Sequence, residues 1–236
     1  MIKSIPTVYR DVRFRSRLEA RWATFFDLLG WEWEYEPFDM DGWIPDFLLT
    51  RPNMLVEVKP TTSLQDHDAV KIERAHRLTD TDREILYVGC SIPFKHVMRS
   101  QNHGPLWAVD CDLGCPIGAL FSLPPSWRHD LDPDWGTAIL SKMEFTDHEG
   151  DSTDCGWGLF SGLDPIMSAD EGFRFGPEKA YDFARNRMGG GNPEKWGTWA
   201  PRPGSSPRIN DLGIMRGPAL SLWAEAGNSV QWRVPR

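Results

Sequence analysis

Apolar residues recur along the first third of the chain with two periods, and the change of period marks the elements. Phe14, Leu18, Trp22, Phe25 and Leu29 fall three or four apart. That spacing makes one stripe on a helix over residues 14–29, and Gly30 follows where a stop is expected. Trp31 to Tyr35 alternates instead, with Glu32 and Glu34 between the aromatics, which predicts a strand with one wet face. Two apolar runs come next, Trp43 to Leu49 and Met54 to Lys59, separated by Thr50, Arg51, Pro52 and Asn53. That intervening composition is turn-like, so the two runs predict a hairpin.

Helical spacing returns over Asp66 to Leu78, with Ala69, Val70, Ile72, Ala75 and Leu78 as the apolar positions, and Glu84 to Cys90 predicts a buried strand. A helix joining two strands of one sheet is a crossover, so the strand at 84–90 is expected to lie parallel to the one carrying Glu57. Leu106 to Cys111 and Ile117 to Ser122 are further strand candidates. The fold class expected is α/β, with helices flanking a mixed central sheet. Pro177 to Met188 predicts a short helix, and after Gly189-Gly190-Gly191 the chain becomes rich in Gly, Pro and Ser, which predicts an irregular C-terminal extension. Trp196, Trp199, Trp223 and Trp232 are expected to pin that extension to the core, stacking on unpaired bases being the alternative. The expected division is a core over residues 1–125, an acidic elaboration over 126–188 and the extension over 189–236.

The hairpin carries the chemistry. Glu57 and Lys59 stand at i and i+2 of one strand and therefore share a face, and Asp46 would sit beside Glu57 from the neighbouring strand. Two carboxylates among apolar strands repel each other and lose hydration, so a cation is needed. A hard divalent ion fits: magnesium binds through one or two carboxylates, keeps several waters and accepts a phosphate. The Lys59 ammonium would then orient or help deprotonate an attacking water and offset charge on the phosphate. On the upstream helix, Glu19 falls at the edge of the apolar stripe, where a docked helix meets a sheet. The plainer alternative makes Glu19 a solvated partner of Arg15 and leaves Glu57 and Lys59 as a surface ion pair.

Glu19 on a first helix, Pro45-Asp46 in one strand and Glu57-Val58-Lys59 in the next, followed by a helix, together resemble the core of the PD-(D/E)XK nuclease superfamily. Phe14 to Pro60 is most similar to endonuclease subunits of heteromeric transposases and to uncharacterised phage and bacterial proteins. The resemblance implies a restriction-endonuclease-like core and a DNA endonuclease that hydrolyses phosphodiesters by a metal-activated water. It also implies that Asp46, Glu57 and the Val58 backbone carbonyl bind Mg2+, with Mn2+ as a substitute, that Lys59 serves catalysis, and that Glu19 completes the site.

Composition and charge narrow the surroundings. With 236 residues, 40% of them hydrophobic, the chain can bury a sizeable core. No stretch approaches the roughly 18 apolar residues of a membrane span, and the N-terminus lacks a signal-peptide run. A cytoplasmic protein of a bacterial or phage-infected cell is expected, with no membrane partner. The four cysteines do not suggest a disulfide framework. Structural zinc is not expected either: Cys111 and Cys115, with Cys155, His129 or His148, lack a second close pair. Cys90 reads as a small core residue, and Asp130, Asp132 and Asp134 as a polar turn, because Trp135 and Ser141 stand where a calcium loop needs Gly and Glu.

Residues 1–21 hold Lys3, Arg10, Arg13, Arg15, Arg17 and Arg21 against Asp11 and Glu19, in a chain of net charge −8. Arg13, Arg15, Arg17 and Arg21 are thus candidates for contact with a DNA backbone. Residues 110–171 carry thirteen acids against Arg128 and Lys142, a segment expected to face away from DNA or toward a protein partner. A partner protein or a homodimer is compatible with this pattern. The alternative function is a non-catalytic nuclease-fold adaptor that binds DNA or a recombination or phage protein.

Overall fold

The computed structural model describes residues 4–50, 53–79, 81–94, 115–122, 133–146, 152–161 and 209–231. A small antiparallel hairpin, β1 (Thr7–Tyr9) and β2 (Val12–Phe14), precedes α1 (Arg17–Leu29). Seven strands then form one sheet in chain order: β3 (Trp33–Tyr35), β4 (Phe47–Leu49), β5 (Met54–Val58), β6 (Ile85–Val88), β7 (Cys115–Ser122), β8 (Asp134–Thr146) and β9 (Ser152–Ser161). The helix α2 (Asp66–Thr79) crosses from β5 to β6, and α3 (Ile209–Ser229) follows the sheet. The β5–β6 pair is parallel, as a helical crossover requires, and the other neighbours are antiparallel. The protein is α/β with a mixed sheet. β8 and β9 fall within the stretch 126–188 and continue the sheet from β7.

Strand alternation sends side chains into two cores. Met54, Val56, Val58, Leu86 and Val88 face the side covered by α1 and α3, where Trp22, Phe25, Phe26 and Trp223 pack. Leu55, Ile85 and Tyr87 face the side covered by α2, with Ala69, Ile72, Phe121 and Trp135.

α1 begins later than its apolar spacing predicts. Ser16 has extended backbone and caps the helix, its hydroxyl accepting from the Glu19 N–H at 3.1 Å. Phe14 lies before the cap in β2, and reaches the same core from there. The apolar period runs through both because a strand end and a helix start bury residues on one side. The predicted stop holds: Gly30 is left-handed, at φ 75. The Gly30 and Trp31 N–H groups bond Asp27 O and Phe26 O at 3.0 and 2.9 Å, and Trp31 stacks on Phe26, closing the helix as a Schellman motif.

Other expectations change on inspection. In α2, Ala69, Ile72 and Ala75 are buried as expected, but Val70 and Leu78 are 54% and 57% exposed, and Asp68 and His76 take the inward places. β4 starts at Phe47, while Trp43 forms an isolated bridge with Met40. Cys90 is half-buried beyond the end of β6, and the small core cysteine is Cys115 in β7, whose thiol burial pushes up to about 11. The largest correction is α3, a regular helix inside the stretch expected to be irregular. Its buried Ala219, Trp223 and Ala226, with Val230 just past its end, recur three and four apart, a period that outweighs its internal Gly and Pro. The strand expected at 106–111, the helix at 177–188, Trp196, Trp199 and Trp232 lie outside the described residues. Among the described residues, no helix is long and apolar enough to cross a membrane.

Candidate active site

Asp46, Glu57 and Lys59 meet at the C-terminal end of β5. The β4–β5 register pairs Phe47 with Val56, so Asp46, one residue before β4, falls opposite Glu57 on the α2 side of the sheet. Both carboxylates are buried, at 3% and 4% exposure. Val58 enters through its N–H, which donates to Asp46 Oδ2 at 2.7 Å. The Trp43 Nε1–H donates to Glu57 Oε2 at 2.9 Å, and the Lys59 ammonium pairs with Glu57 Oε1. Lys59 therefore shares the face of Glu57, as the i, i+2 spacing requires.

Electrostatics at this cluster are dominated by burial. Burial first, then the charge of Glu57, push the Asp46 carboxyl up to about 7, and the Val58 N–H and Lys59 only partly oppose them. The Arg15 guanidinium lies 2.6 Å from Asp46 Oδ1, but its side chain is 58% exposed, so water screens its pull. Burial works against the charged guanidinium of Arg15, yet Asp46, Tyr35 and Glu36 outweigh it and its pKa rises. Lys59 follows the same logic. Burial would lower its pKa, and Glu57, then Asp46 and Asp68, raise it beyond that loss. The ammonium thus stays charged at neutral pH.

Glu19 lies on the other side of the hairpin edge. Its carboxylate accepts from Ser16 Oγ at 2.7 Å, from Tyr35 OH at 2.6 Å and from the Arg15 N–H at 3.1 Å. It reaches toward Asp46 through Arg15, whose Nε stands 4.0 Å from Glu19 Oε2, and its charge adds to the upward push on the Asp46 carboxyl. The local reason is the N-cap: Ser16 and Glu19 satisfy each other across the first turn, with the Glu19 carboxylate reaching one residue further back than in a regular capping box, to the Arg15 N–H, and Ser16-x-x-Glu19 is legible in the sequence. Glu19 is thus primarily a cap, one residue removed from the carboxylate pair.

The four basic candidates separate. Arg13 is exposed on β2, Arg15 sits over Asp46, and Arg17 opens α1. Arg21 is committed elsewhere: its Nε and Nη2 donate to Trp223 O at 3.1 and 2.7 Å, and its guanidinium lies 3.7 Å from the Trp223 ring centroid.

Three residues at the site carry no mark in the sequence. Tyr87 pairs with Glu57 across the parallel β5–β6 ladder. Its hydroxyl donates to Asp68 Oδ2 at 2.8 Å and lies 3.1 Å from Thr61 Oγ1. Burial, with Asp68, holds that phenol well above its ordinary pKa. A crossover brings α2 back over the strand it left, so Asp68 becomes a neighbour of Lys59 only in the folded chain.

Among the described residues, no group of three or more His, Cys, Asp or Glu side chains is gathered to hold a metal. The donor set for a hard ion is the Asp46–Glu57 pair, and its chemistry fits. The oxygens are hard, burial and the neighbouring Glu57 charge both disfavour an uncompensated Asp46 carboxylate, and each hydrogen-bonded carboxylate oxygen retains acceptor capacity. No protein-family model matches this chain, and no curated protein or solved structure matches it.

Proposed function

We propose that this chain is a magnesium-dependent DNA endonuclease that hydrolyses phosphodiester bonds. One observation carries the reading: two buried carboxylates on neighbouring strands, Asp46 pushed up to about 7, with the Lys59 ammonium against the second. The element order supports a restriction-endonuclease-like core, since α1, the β3–β4–β5 meander, the crossover α2 and the parallel β6 are the parts such a core needs. Magnesium, with manganese as its substitute, supplies when bound a lowered water pKa and positive charge against the phosphate.

The chain's own residues do the rest. Asp46 and Glu57 offer their free lone pairs from rigid strands, held in place by the Val58 N–H and the Trp43 Nε1–H. Lys59, kept charged by its neighbours, orients a water and offsets charge on the phosphate. It does not act as a base in this state, because its pKa is raised. Arg15 steadies Asp46 from the open side and is placed to meet a phosphate oxygen. The setting proposed is the cytoplasm of a bacterial or phage-infected cell.

Cleavage of supercoiled plasmid by the full chain, with magnesium or with chelator, tests this. Asp46→Asn and Lys59→Ala are each expected to lose activity by at least about 100-fold while still unfolding cooperatively. Full activity in both variants removes the assignment.

A second reading, a nuclease-fold adaptor without catalysis, is favoured by one feature: each carboxylate already pairs with a cation of the chain, Asp46 with Arg15 and Glu57 with Lys59. It predicts DNA or partner binding that is indifferent to magnesium, and no cutting.

A further inference from the structure

The charge of α2 is balanced in sequence and strongly divided in space. Its acids are Asp66, Asp68 and Glu73, and its bases are Lys71, Arg74 and Arg77, beside two histidines. Folding turns two of the acids inward. Asp68 is buried and accepts from Tyr87 OH at 2.8 Å, and Glu73 Oε1 accepts from Trp135 Nε1 at 2.8 Å. Lys71, Arg74 and Arg77 are all exposed, and among the described residues none of them forms an ion pair. At about 100° per residue, the three lie within roughly 120° of one another, on a stripe about 9 Å long. Of the acids only Asp66, in the first turn, stays exposed with them, so the outer face of α2 carries three cations against one acid on a chain whose net charge is −8.

The stripe has a direction. α2 begins at the end of the sheet that carries Glu57 and Lys59, because a crossover helix starts where its strand stops. Asp68 in its first turn bears electrostatically on Lys59. From there the cations run away from the carboxylate pair along the outside of the helix. Each strand of a duplex presents a phosphate about every 3.4 Å of helix axis, so three cations with long side chains along a stripe of this length can each meet one. In a net-acidic protein, general attraction to DNA is absent, and a local track must supply it.

We propose that the exposed face of α2, through Lys71, Arg74 and Arg77, is the track that holds the phosphate backbone of a nucleic acid leading away from the Asp46–Glu57–Lys59 site. This rests on the nuclease reading of that site for its choice of ligand. The contacts are to phosphates alone, so they add affinity and register without sequence preference.

The test separates binding from cutting. The full chain carrying Asp46→Asn is titrated with a short fluorescein-labelled DNA duplex, by anisotropy, over a series of salt concentrations. The same chain with Lys71→Gln, Arg74→Gln and Arg77→Gln added is expected to bind about 10-fold or more weakly, with a salt slope shallower by about 2 to 3. Should the triple variant fail to fold by circular dichroism, Arg74→Gln alone carries the test, with a slope reduced by about 1. Unchanged affinity and slope, or no DNA binding by the unsubstituted face, overturns the proposal. So does an equal loss of binding to labelled poly-glutamate, which would make the ligand an acidic protein. Plasmid cleavage by the wild-type chain is measured alongside. Binding through α2 without any cleavage sinks the nuclease reading and leaves the track standing, whereas cleavage with an indifferent α2 does the reverse.

Discussion

Asp46 is the residue under most electrostatic tension. Its folded pKa of about 7, against an ordinary value of 3.8, means that the folded chain binds a proton that the unfolded chain has released between those limits. The sign follows: stability is full below the unfolded value and falls as pH rises toward 7, because the buried carboxylate must ionise in place. Chemical denaturation in chelator is expected to show stability declining from about pH 4 to about pH 7, by roughly a few kcal/mol. Asp46→Asn removes the charge and should flatten that slope. A slope unchanged by the substitution would place the ionising group elsewhere. Magnesium is expected to restore stability selectively above pH 7 in the wild type, since it binds the ionised form.

Short elements position the site, and their joints are tight. Beyond β6, a Cβ on Gly89 would stand 2.3 Å from Thr61 O and 2.6 Å from Phe94 Cε2. The segment after Lys59 can lie against β6 only because residue 89 has no side chain. It is held there by bonds from Lys59 N to Val88 O and from Cys90 N to Thr61 O, at 2.9 and 2.8 Å. Gly89→Ala is therefore expected to cost about 1–3 kcal/mol by overpacking, measured by urea unfolding, and to disturb cleavage through Lys59. At the opposite joint, Ser16→Ala should cost about 1 kcal/mol as a lost N-cap. It also frees Glu19 from Ser16 Oγ while leaving the Tyr35 bond.

At the scale of the molecule, α3 closes a core that the first hundred residues leave open. Trp223 packs against Trp22 and Phe25 with ring centroids 4.6 and 5.5 Å apart, and Trp22 in turn donates to Gly89 O at 2.8 Å. The close approach of Arg21 depends on Gly227, where a Cβ would lie 2.9 Å from Arg21 Cζ. Trp223→Ala is expected to lower stability by about 3–5 kcal/mol, read as a drop in melting temperature. A near-neutral result would show that α3 is not part of the cooperative unit. Since α1 carries both Trp22 and the Ser16–Glu19 cap, loss of α3 should also loosen the approach to the carboxylate pair.

Elements ruled by local period were legible from the residue order alone. The strand alternation at Trp31 to Tyr35, the hairpin pairing Asp46 with Glu57, the shared face of Glu57 and Lys59, the crossover and the parallel β6 all follow from spacing that acts over a few residues. The Ser16-x-x-Glu19 cap was equally local and marks the true start of α1. What needed the folded chain was every choice set by distant partners. Which side of α2 is buried depends on Tyr87 and Trp135, which draw in Asp68 and Glu73 and leave Val70 and Leu78 outside. Arg21 reads as a surface cation until Trp223, some two hundred residues on, occupies it. α3 is hidden by its own Gly and Pro until α1 offers a surface to bury against, because a marginal helix gains its stability from packing on a neighbour more than from propensity.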